Sequence, residues 1–305
     1  MKKILECIPN FSEGRNLQTI EAIIKAITDI PGIILLDKES DPAHNRSVVT
    51  FVGEPEAVVE AAFQGCKKAA ELIDLDKHKG EHPRMGAMDV CPLVPIKGLS
   101  NEECIPYAEK LAERIGNELQ IPVYLYEKSA RKPERENLAD VRKGQYEGIK
   151  AEIETNPNRK PDFGPSKMPK AGATAVGVRA PLIAFNVNLK TKDLNIAKAI
   201  AKKIRFKDGG FPCVKALGFE LADRGIVQVS MNFTDYKVSP IHTVFDAIKK
   251  ECKKHEVEIL ESELIGLIPQ DAITGDFKHY LKITQFSDKQ VLEQILQEKL
   301  AEKKS

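Results

Sequence analysis

The stretch GIILLDKESDPAHNRSVVTFVG, residues 32–53, predicts two β-strands joined by a turn. Both arms are rich in large apolar residues, and the segment DPAHNRS between them has the composition of a hairpin turn. The second half of the chain holds a similar stretch, CVKALGFELADRGIVQVSMNF, at residues 213–233. The two predicted hairpins indicate that one structural unit is used twice.

The segments around each hairpin follow the same order. In the first half, the strand ILECIPNF and a helix come before the hairpin, and a helix and the strand MDVCPLVPI come after it. In the second half, the strand LIAFNVNL and the helix DLNIAKAIAKKI come before, and a helix and the strand EVEILESELIGLI come after. Apolar residues of the four helices recur every three to four positions, as on a buried helix face: Ile20, Ile23, Ile24 and Ile27; Val59, Phe63, Cys66, Ala70 and Ile73; Ala197, Ile200 and Ile204; Ile241, Val244, Phe245, Ile248 and Cys252. The repeated order βαββαβ predicts an α+β fold of two tandem ferredoxin-like subdomains.

The residues between the two units are expected to extend the first one. They contain a predicted helix (NEECIPYAEKLAERIGNELQ), a strand (IPVYLYE) and a charged segment at 131–153. Residues 154–181 are dense in Pro and Gly and predict a long irregular connection, which in a compact protein is usually functional. A last helix, VLEQILQEKLAEKK, is expected on the surface. The predicted domains are residues 1–178, which include the connecting loop, and residues 179–305.

Composition limits the classes of function. The chain has 305 residues, of which 42% are hydrophobic, and its net charge is +1, so we expect no nucleic-acid partner. No apolar run approaches the roughly 20 residues of a membrane-spanning helix, and we interpret the opening MKKILECIPNF as a strand rather than a signal peptide. Six cysteines without CxxC pairs predict free thiols in a reducing cytoplasm.

The segment KGEHPRMGAMDVCPLVPI, residues 79–96, contains the first candidate for chemistry. His78 and His82 form HKGEH, which resembles an i, i+4 metal pair, but Gly80 and Pro83 argue against the helix that such a pair needs. We therefore predict no metal site. His82 lies in a loop before a strand, where a histidine is either an acid–base group active near neutral pH or an ordinary surface residue.

Two further patterns leave a ligand-binding and a structural interpretation open. The segment GATAVGVR, residues 172–179, either is a glycine turn into the strand LIAFNVNL or presents backbone N–H groups and Arg179 to an anion. In LIAFNVNL and IVQVSMNF apolar residues alternate with polar ones, so one sheet face is rich in amides and is either solvated or part of a ligand cleft. His44 and Arg46 of the turn DPAHNRS could face the same cleft.

Several motifs, taken in order, resemble the glutamate formiminotransferase family. They are ECIPNFSEGRN, DPAHNRSVVTFVG, KGEHPRMGAMDVCPLVPI, LADVRKGQYEG and PKAGATAVGVRAPLIAFNVNL, and the resemblance runs from residue 1 to about residue 270. The chain resembles the transferase half of the bifunctional formiminotransferase-cyclodeaminase. We expect no extension of the size of the cyclodeaminase half after Ile268. The resemblance implies two related subdomains with a ligand cleft between them, where a folate binds, and a homodimer. It leaves open a separate cyclodeaminase as a partner.

The resemblance also implies the reaction. The family moves the formimino group of N-formimino-L-glutamate to nitrogen 5 of tetrahydrofolate, a co-substrate, in histidine degradation, and needs no metal or redox cofactor. The catalytic histidine of the family falls on His82, which would carry the proton from the attacking nitrogen to the departing one. The folate-binding loop falls on Phe163, Gly164, Pro165, Ser166, Lys167, Met168, Pro169, Lys170, Ala171 and Gly172.

Both substrates of that reaction carry carboxylates, so the site would need cations. Arg84, Arg179 and Arg46 are the candidates, together with the lysines of the folate loop, because arginine can bind a carboxylate through two hydrogen bonds. Two alternative functions remain open: an enzyme of the same scaffold that acts on 5-formyltetrahydrofolate, and a folate-binding protein without turnover.

Overall fold

The computed structural model describes residues 3–302 of the chain. The chain divides into two units, Met1–Arg179 and Ala180–Ser305. Each unit contains one β-sheet with helices packed against it. Within residues 3–302, no helix combines the length and the apolar character that crossing a bilayer requires.

The first unit is a seven-stranded sheet covered by helices. Its elements are β1 (Ile4–Cys7), β2 (Asn10–Phe11), α1 (Leu17–Thr28), β3 (Ile34–Asp41), β4 (Arg46–Gly53), α2 (Pro55–Leu72), β5 (Met88–Lys97), α3 (Asn101–Glu118), β6 (Val123–Glu127), α4 (Leu138–Val141), α5 (Gln145–Glu152) and β7 (Thr174–Val178). The predicted first strand is interrupted at Pro9, which has no N–H to donate, so β1 and β2 together occupy one position in the sheet.

The strand order of the first unit confirms the predicted βαββαβ pattern. Strand β4 pairs antiparallel with β3 on one side and with β1 and β2 on the other, and β1 and β2 also pair antiparallel with β5. Numbered within the repeat, this order is 4-1-3-2. Helices α1 and α2 cover the apolar face, and the predicted helix residues Ile23, Ile27 and Val59 are at most 1% exposed.

The predicted irregular connection at residues 154–181 is partly wrong, because it contains β7. This strand lies between β5 and β6 and is parallel to both, with Ala175 opposite Val90 and Thr174 opposite Val123. All five of its residues are buried. A parallel strand that is buried on both faces has a short apolar run without alternation, and Gly172 before it and Gly177 inside it made this stretch resemble a turn. The glycine-turn interpretation of residues 172–179 is therefore also wrong.

The second unit repeats the core of the first. Its elements are β8 (Ile183–Leu189), α6 (Leu194–Ile204), β9 (Val214–Leu221), β10 (Ile226–Phe233), α7 (Ile241–Lys254), β11 (Ile259–Ile265), α8 (Phe277–Tyr280), β12 (Ile283–Gln285) and α9 (Leu292–Glu302). The sheet order is β12-β11-β8-β10-β9, which again gives 4-1-3-2 for the four repeat strands. The last predicted helix is confirmed over α9, and its predicted residues 303 and 304 lie outside the described residues.

The two units differ in the connection that leads into the fourth repeat strand. Residues 255–258 join α7 to β11 in the second unit, whereas residues 73–87 join α2 to β5 in the first. His82 lies in this longer segment, which we call the histidine loop (residues 73–87). The loop contains no helix or strand of its own, so its path depends on contacts with the rest of the unit.

Candidate active site

The histidine loop is fixed against the turn between β3 and β4. A Cβ atom at Gly80 would lie 2.3 Å from the carbonyl oxygen of His44, so only glycine fits at this approach. Asn45 adopts a left-handed backbone conformation with φ of 50°. Its side chain donates to the Lys79 carbonyl over 3.0 Å and accepts from the Gly14 N–H over 2.9 Å. The turn and the loop therefore hold each other in place.

The end of the histidine loop crosses the end of the predicted folate loop. Gly86 and Gly172 face each other, and a Cβ atom at Gly86 would lie 1.9 Å from the Ala173 carbonyl oxygen. The Ala87 N–H donates to the Ala171 carbonyl over 2.7 Å, and the Ala173 N–H donates to the Met85 carbonyl over 2.9 Å. This crossing joins the two segments that the sequence singled out for chemistry.

A small polar cavity lies where the histidine loop meets the turn and the sheet. Its volume is about 10 Å³, close to the least space that one water molecule needs. The lining residues are Phe11, Ser12, His44, Asn45, Arg46, His78, His82, Arg84 and Asp89. The structure thus brings together His82 and two of the three arginines that the sequence proposed for carboxylate binding.

The half-buried imidazole of His82 receives a hydrogen bond from the guanidinium of Arg46. Because arginine has only donors, the Nε2 atom of His82 must accept, which leaves the proton on Nδ1. Burial, followed by the charges of Arg46 and Arg142, lowers the pKa of His82 to about 3. The imidazole is therefore neutral near pH 7.

Arg46 is a buried cation without a paired carboxylate. Burial lowers the pKa of its guanidinium to about 10. Within residues 3–302, no carboxylate forms an ion pair with Arg46, and its Nε atom is buried without a hydrogen-bond partner. The nearby Arg142 is matched by Asp89, with 2.6 Å between Nη2 and Oδ2. Burial raises the pKa of Asp89, and the charge of Arg142 opposes this shift.

Arg84 lies in the same cavity but has a carboxylate partner. Its two terminal nitrogens donate to both carboxylate oxygens of Glu147, over 2.9 and 2.6 Å. Its Nε donates to the Nδ1 of His78 over 3.3 Å, and the Nε2 of His78 faces the Asn45 carbonyl at 3.0 Å. His78 and His82 thus direct Nε2 at different partners, which does not favour the metal pair suggested by HKGEH.

Arg179 is the one predicted arginine that does not line this cavity. It follows the C-terminal end of β7, where its backbone N–H donates to the Leu93 carbonyl over 3.1 Å. The cavity lies beside Asp89, at the other end of the β5–β7 ladder, and the backbones of Asp89 and Leu93 are about 13 Å apart along β5 at the usual rise per residue. Sequence analysis placed Arg179 just before a strand, whereas β7 ends there and β8 begins at Ile183.

The predicted folate loop, residues 163–172, is anchored at both ends and exposed in its middle. The ring of Phe163 lies under the guanidinium of Arg131, with 4.6 Å from ring centroid to Cζ. Met168 and Ala171 are buried in the core of the first unit, whereas Ser166 and Lys167 are exposed. The Nζ of Lys170 lies 3.7 Å from a carboxylate oxygen of Asp74.

The amide-rich face of the second sheet is engaged in its own hydrogen bonds. Asn188 is fully buried and donates to Glu261 over 3.1 Å and to Glu263 over 2.8 Å. Gln228 donates to the side-chain oxygen of Asn188 over 2.9 Å, and Arg224 forms an ion pair with Glu261 at 2.6 Å. The alternating apolar face of β8 and β10 is buried as predicted.

Sequence reasoning missed Asn45, Asp89 and Arg142. Asp89 carried a detectable signal, because it is the only charged residue in the buried part of the strand MDVCPLVPI. Arg142 carried none, since its neighbours in the chain are charged as well and only the fold brings it to Asp89.

Comparisons with known proteins agree with this architecture. The N-terminal subdomain of the formiminotransferase domain family matches residues 4–179, and the formiminotransferase domain matches residues 184–301. A glutamate formimidoyltransferase of Streptococcus pyogenes is 50% identical, over 96% of this chain and 98% of its own length. One from Thermoplasma acidophilum is 47% identical, over 95% of this chain and 96% of its own length. A formimidoyltransferase-cyclodeaminase of Mus musculus is 44% identical over 90% of this chain and 51% of its own length. The chain therefore belongs to the formiminotransferase family.

Proposed function

We propose that this chain is a glutamate formimidoyltransferase with His82 as its acid–base group. The substrates would be N-formimino-L-glutamate and tetrahydrofolate, and the products L-glutamate and 5-formiminotetrahydrofolate, in histidine degradation. The transferase class follows from family membership, and two relatives of nearly the same length bear this name. The observation that carries the proposal is the neutral imidazole of His82 at a cavity lined by cations.

The reaction is an addition to the amidine carbon of formiminoglutamate followed by elimination. Nitrogen 5 of tetrahydrofolate forms a bond to that carbon and must lose its proton, and the glutamate nitrogen must gain one as its bond to the carbon breaks. A neutral imidazole can accept the first proton at Nε2 and return it to the departing nitrogen. Such a group contributes about 10²- to 10⁴-fold to the rate, and holding both substrates together contributes more.

We assign the folate to the loop at residues 163–172 and a carboxylate of formiminoglutamate to Arg46. The exposed Ser166 and Lys167 can meet a ligand, while the buried Met168 and Ala171 hold the loop to the unit. Since Gly86 and Gly172 join this loop to the histidine loop, a folate held there would lie beside the segment that carries His82. Arg46 is suited to a carboxylate because it forms no ion pair with any described residue, although the charges of Asp89, Asp41 and Glu39 act on it from farther away.

The test is a direct assay of the purified chain. With both substrates, L-glutamate and 5-formiminotetrahydrofolate should form in equal amounts. His82→Ala should abolish most of the turnover, whereas His279→Ala, whose side chain is 90% exposed, should not affect it. Turnover of 5-formyltetrahydrofolate alone would assign the chain to the alternative reaction. Folate binding without any turnover would make it a binding protein.

We also propose a cytoplasmic location and a homodimer. All six cysteines are free, and five of them are buried, which suits a reducing compartment. The dimer rests on the family resemblance, and light scattering of the purified chain would test it. A separate cyclodeaminase would be the natural consumer of the product, because some relatives carry that name as part of a longer chain.

A further inference from the structure

Arg46 is hydrogen-bonded to Nε2 of His82, the atom that accepts the proton in the proposed reaction. The lone pair of Nε2 already accepts a hydrogen bond from the guanidinium. A base cannot take a proton through a lone pair that is bound in this way, so the arrangement seen here is an inactive one. Some event must move the guanidinium before His82 can act.

The surroundings of Arg46 allow such a movement. The neighbouring Arg84 and Arg142 are held by Glu147 and Asp89, whereas Arg46 forms no ion pair with any of residues 3–302. Its Nε is buried without a hydrogen-bond partner, as is the Nε of Arg142, so the missing ion pair is what distinguishes Arg46. Because the cavity has room for about one water molecule, a carboxylate can meet the guanidinium only when the guanidinium turns outward. There the carboxylate could accept from Nε and from a terminal nitrogen and hold Arg46 away from His82.

The other charged groups around His82 do not replace Arg46 in this role. His44 lies edge-on to the His82 ring, with 6.2 Å between centroids, and is bonded to Asp41. The other titratable groups around His82 and Arg46 are His78 and Arg84 of the histidine loop, Arg142 after α4, Asp89 of β5, Glu147 of α5, and Glu39 of β3, whose charge acts on Arg46. Arg142 repels a proton on His82 as Arg46 does, but it is engaged with Asp89.

We propose that Arg46 acts as a lock on His82, by which we mean that its guanidinium blocks Nε2 in the free protein. A carboxylate of the acidic substrate binds the guanidinium and thereby frees Nε2 to accept the proton of the attacking nitrogen. The proposal rests on the proposed function, and the ligand class is a small dicarboxylate. No bond other than the N–H is broken in this step. The proton moves from the attacking nitrogen to Nε2, and the charge of Arg46 is balanced by the bound carboxylate.

The charges set the direction of the effect. Positive neighbours disfavour the imidazolium and lower the pKa of His82, as Arg46 does in the free protein. A carboxylate beside Arg46 offsets that charge, so the pKa of His82 must rise when the ligand binds. The burial of the ring remains, since it is the largest cause of the shift. The lock therefore makes His82 a stronger base only when the acidic substrate is present.

The direct test is an NMR titration of the histidine rings with glutarate as an inert dicarboxylate probe. In the free wild-type protein at pH 7, ¹⁵N shifts should show His82 neutral with the proton on Nδ1. Saturating glutarate should raise the midpoint of His82 by about one pH unit or more. In Arg46→Gln the midpoint should already be raised without ligand, and glutarate should change it little. Arg114→Gln, which removes an arginine from α3 near Phe63, should behave as wild type.

Three results would overturn the lock. These are a wild-type His82 that titrates near 6.5 without ligand, a midpoint that glutarate leaves unchanged, and the failure of glutarate to bind at all. The first two measurements use the wild-type protein and do not depend on the folding of a variant. None of them requires turnover. A chain that fails the glutamate-release assay but passes the titration would therefore refute the proposed function, while the release of His82 by a bound carboxylate would still hold.

Kinetics supply a second readout that a merely structural arginine would not change. The acid limb of kcat/KM reports the pKa of the free enzyme, and that of kcat reports the pKa of the substrate complex. In the wild type, the acid limb of kcat should lie at higher pH than that of kcat/KM. In Arg46→Gln the two limbs should nearly coincide, and KM for formiminoglutamate should rise. Two limbs that stay apart in this variant would contradict the role of Arg46.

Discussion

Gly86→Ala should weaken the crossing between the histidine loop and the predicted folate loop. The new Cβ atom would lie 1.9 Å from the Ala173 carbonyl oxygen, whereas ordinary contacts begin at 3.4 Å, so the two segments must part by about 1.5 Å. That shift breaks the bonds of Ala87 to Ala171 and of Ala173 to Met85, which are 2.7 and 2.9 Å long. Losing two such bonds and leaving buried groups unpaired costs about 3–5 kcal/mol.

Urea unfolding followed by far-UV circular dichroism measures this loss, and hydrogen exchange of the peptide at residues 82–90 assigns it to the crossing. The matched control is Gly148→Ala in α5, where a Cβ atom meets nothing within 4 Å. Because alanine is the better helix former, the control should gain up to about 1 kcal/mol.

Gly86 lies four residues after His82 in the same loop. If His82 acts as proposed, the folded fraction of Gly86→Ala should lose about 10²-fold in kcat, as expected for a displacement near 1 Å. A Gly86→Ala protein with the unfolding free energy and the kcat of wild type would refute the reasoning. Loss of stability with kcat unchanged would separate the two segments functionally.

Three further predictions address the proposed site. His82→Ala should lower kcat by about 10²- to 10⁴-fold, as measured by glutamate release. The unfolding free energy should change little, because the ring is half-buried and has few partners. A kcat near that of wild type would remove His82 from the mechanism. Trypsin should cut after the exposed Lys167, and folate should slow this cleavage. The cleavage product is identified by its absence in Lys167→Gln. Cleavage that saturating folate leaves unchanged would mean that the loop is only a connection. Arg179→Lys should raise KM for one substrate about tenfold, or about 1.4 kcal/mol, because lysine lacks the planar fork. It should leave kcat nearly unchanged, since Arg179 does not line the cavity at His82; unchanged KM for both substrates would exclude it from binding.

The repeated fold was predictable because its signals are local. Apolar spacing identified the four core helices, and the two hairpins identified the repeat, since both depend on residues that are near in the chain. Strand β7 was not predicted because its five buried residues show no alternation, and because Gly172 before it and Gly177 inside it suggested a turn. Its place between β5 and β6 depends on parallel pairing with distant segments, for which the sequence has no local mark.

The site was predictable as a set of residues but not as an arrangement. His82, Arg46 and Arg84 were each identified from a motif, and the structure places them around one cavity. That Arg46 bonds to His82 while Arg84 bonds to Glu147 follows from three-dimensional packing, which no spacing in the chain encodes. For the same reason, the partnership of Asp89 with Arg142 could not be foreseen.

The unequal length of the two equivalent connections has an evolutionary consequence. If the units arose by duplication and His82 acts as proposed, the first unit gained its acid–base group when the connection at residues 73–87 lengthened, while the second kept the short connection at residues 255–258. The βαββαβ scaffold would then have come before the reaction. Selection could change the histidine loop without changing the sheet. Ancestral forms with a short link in both units would be expected to fold and to lack this catalysis.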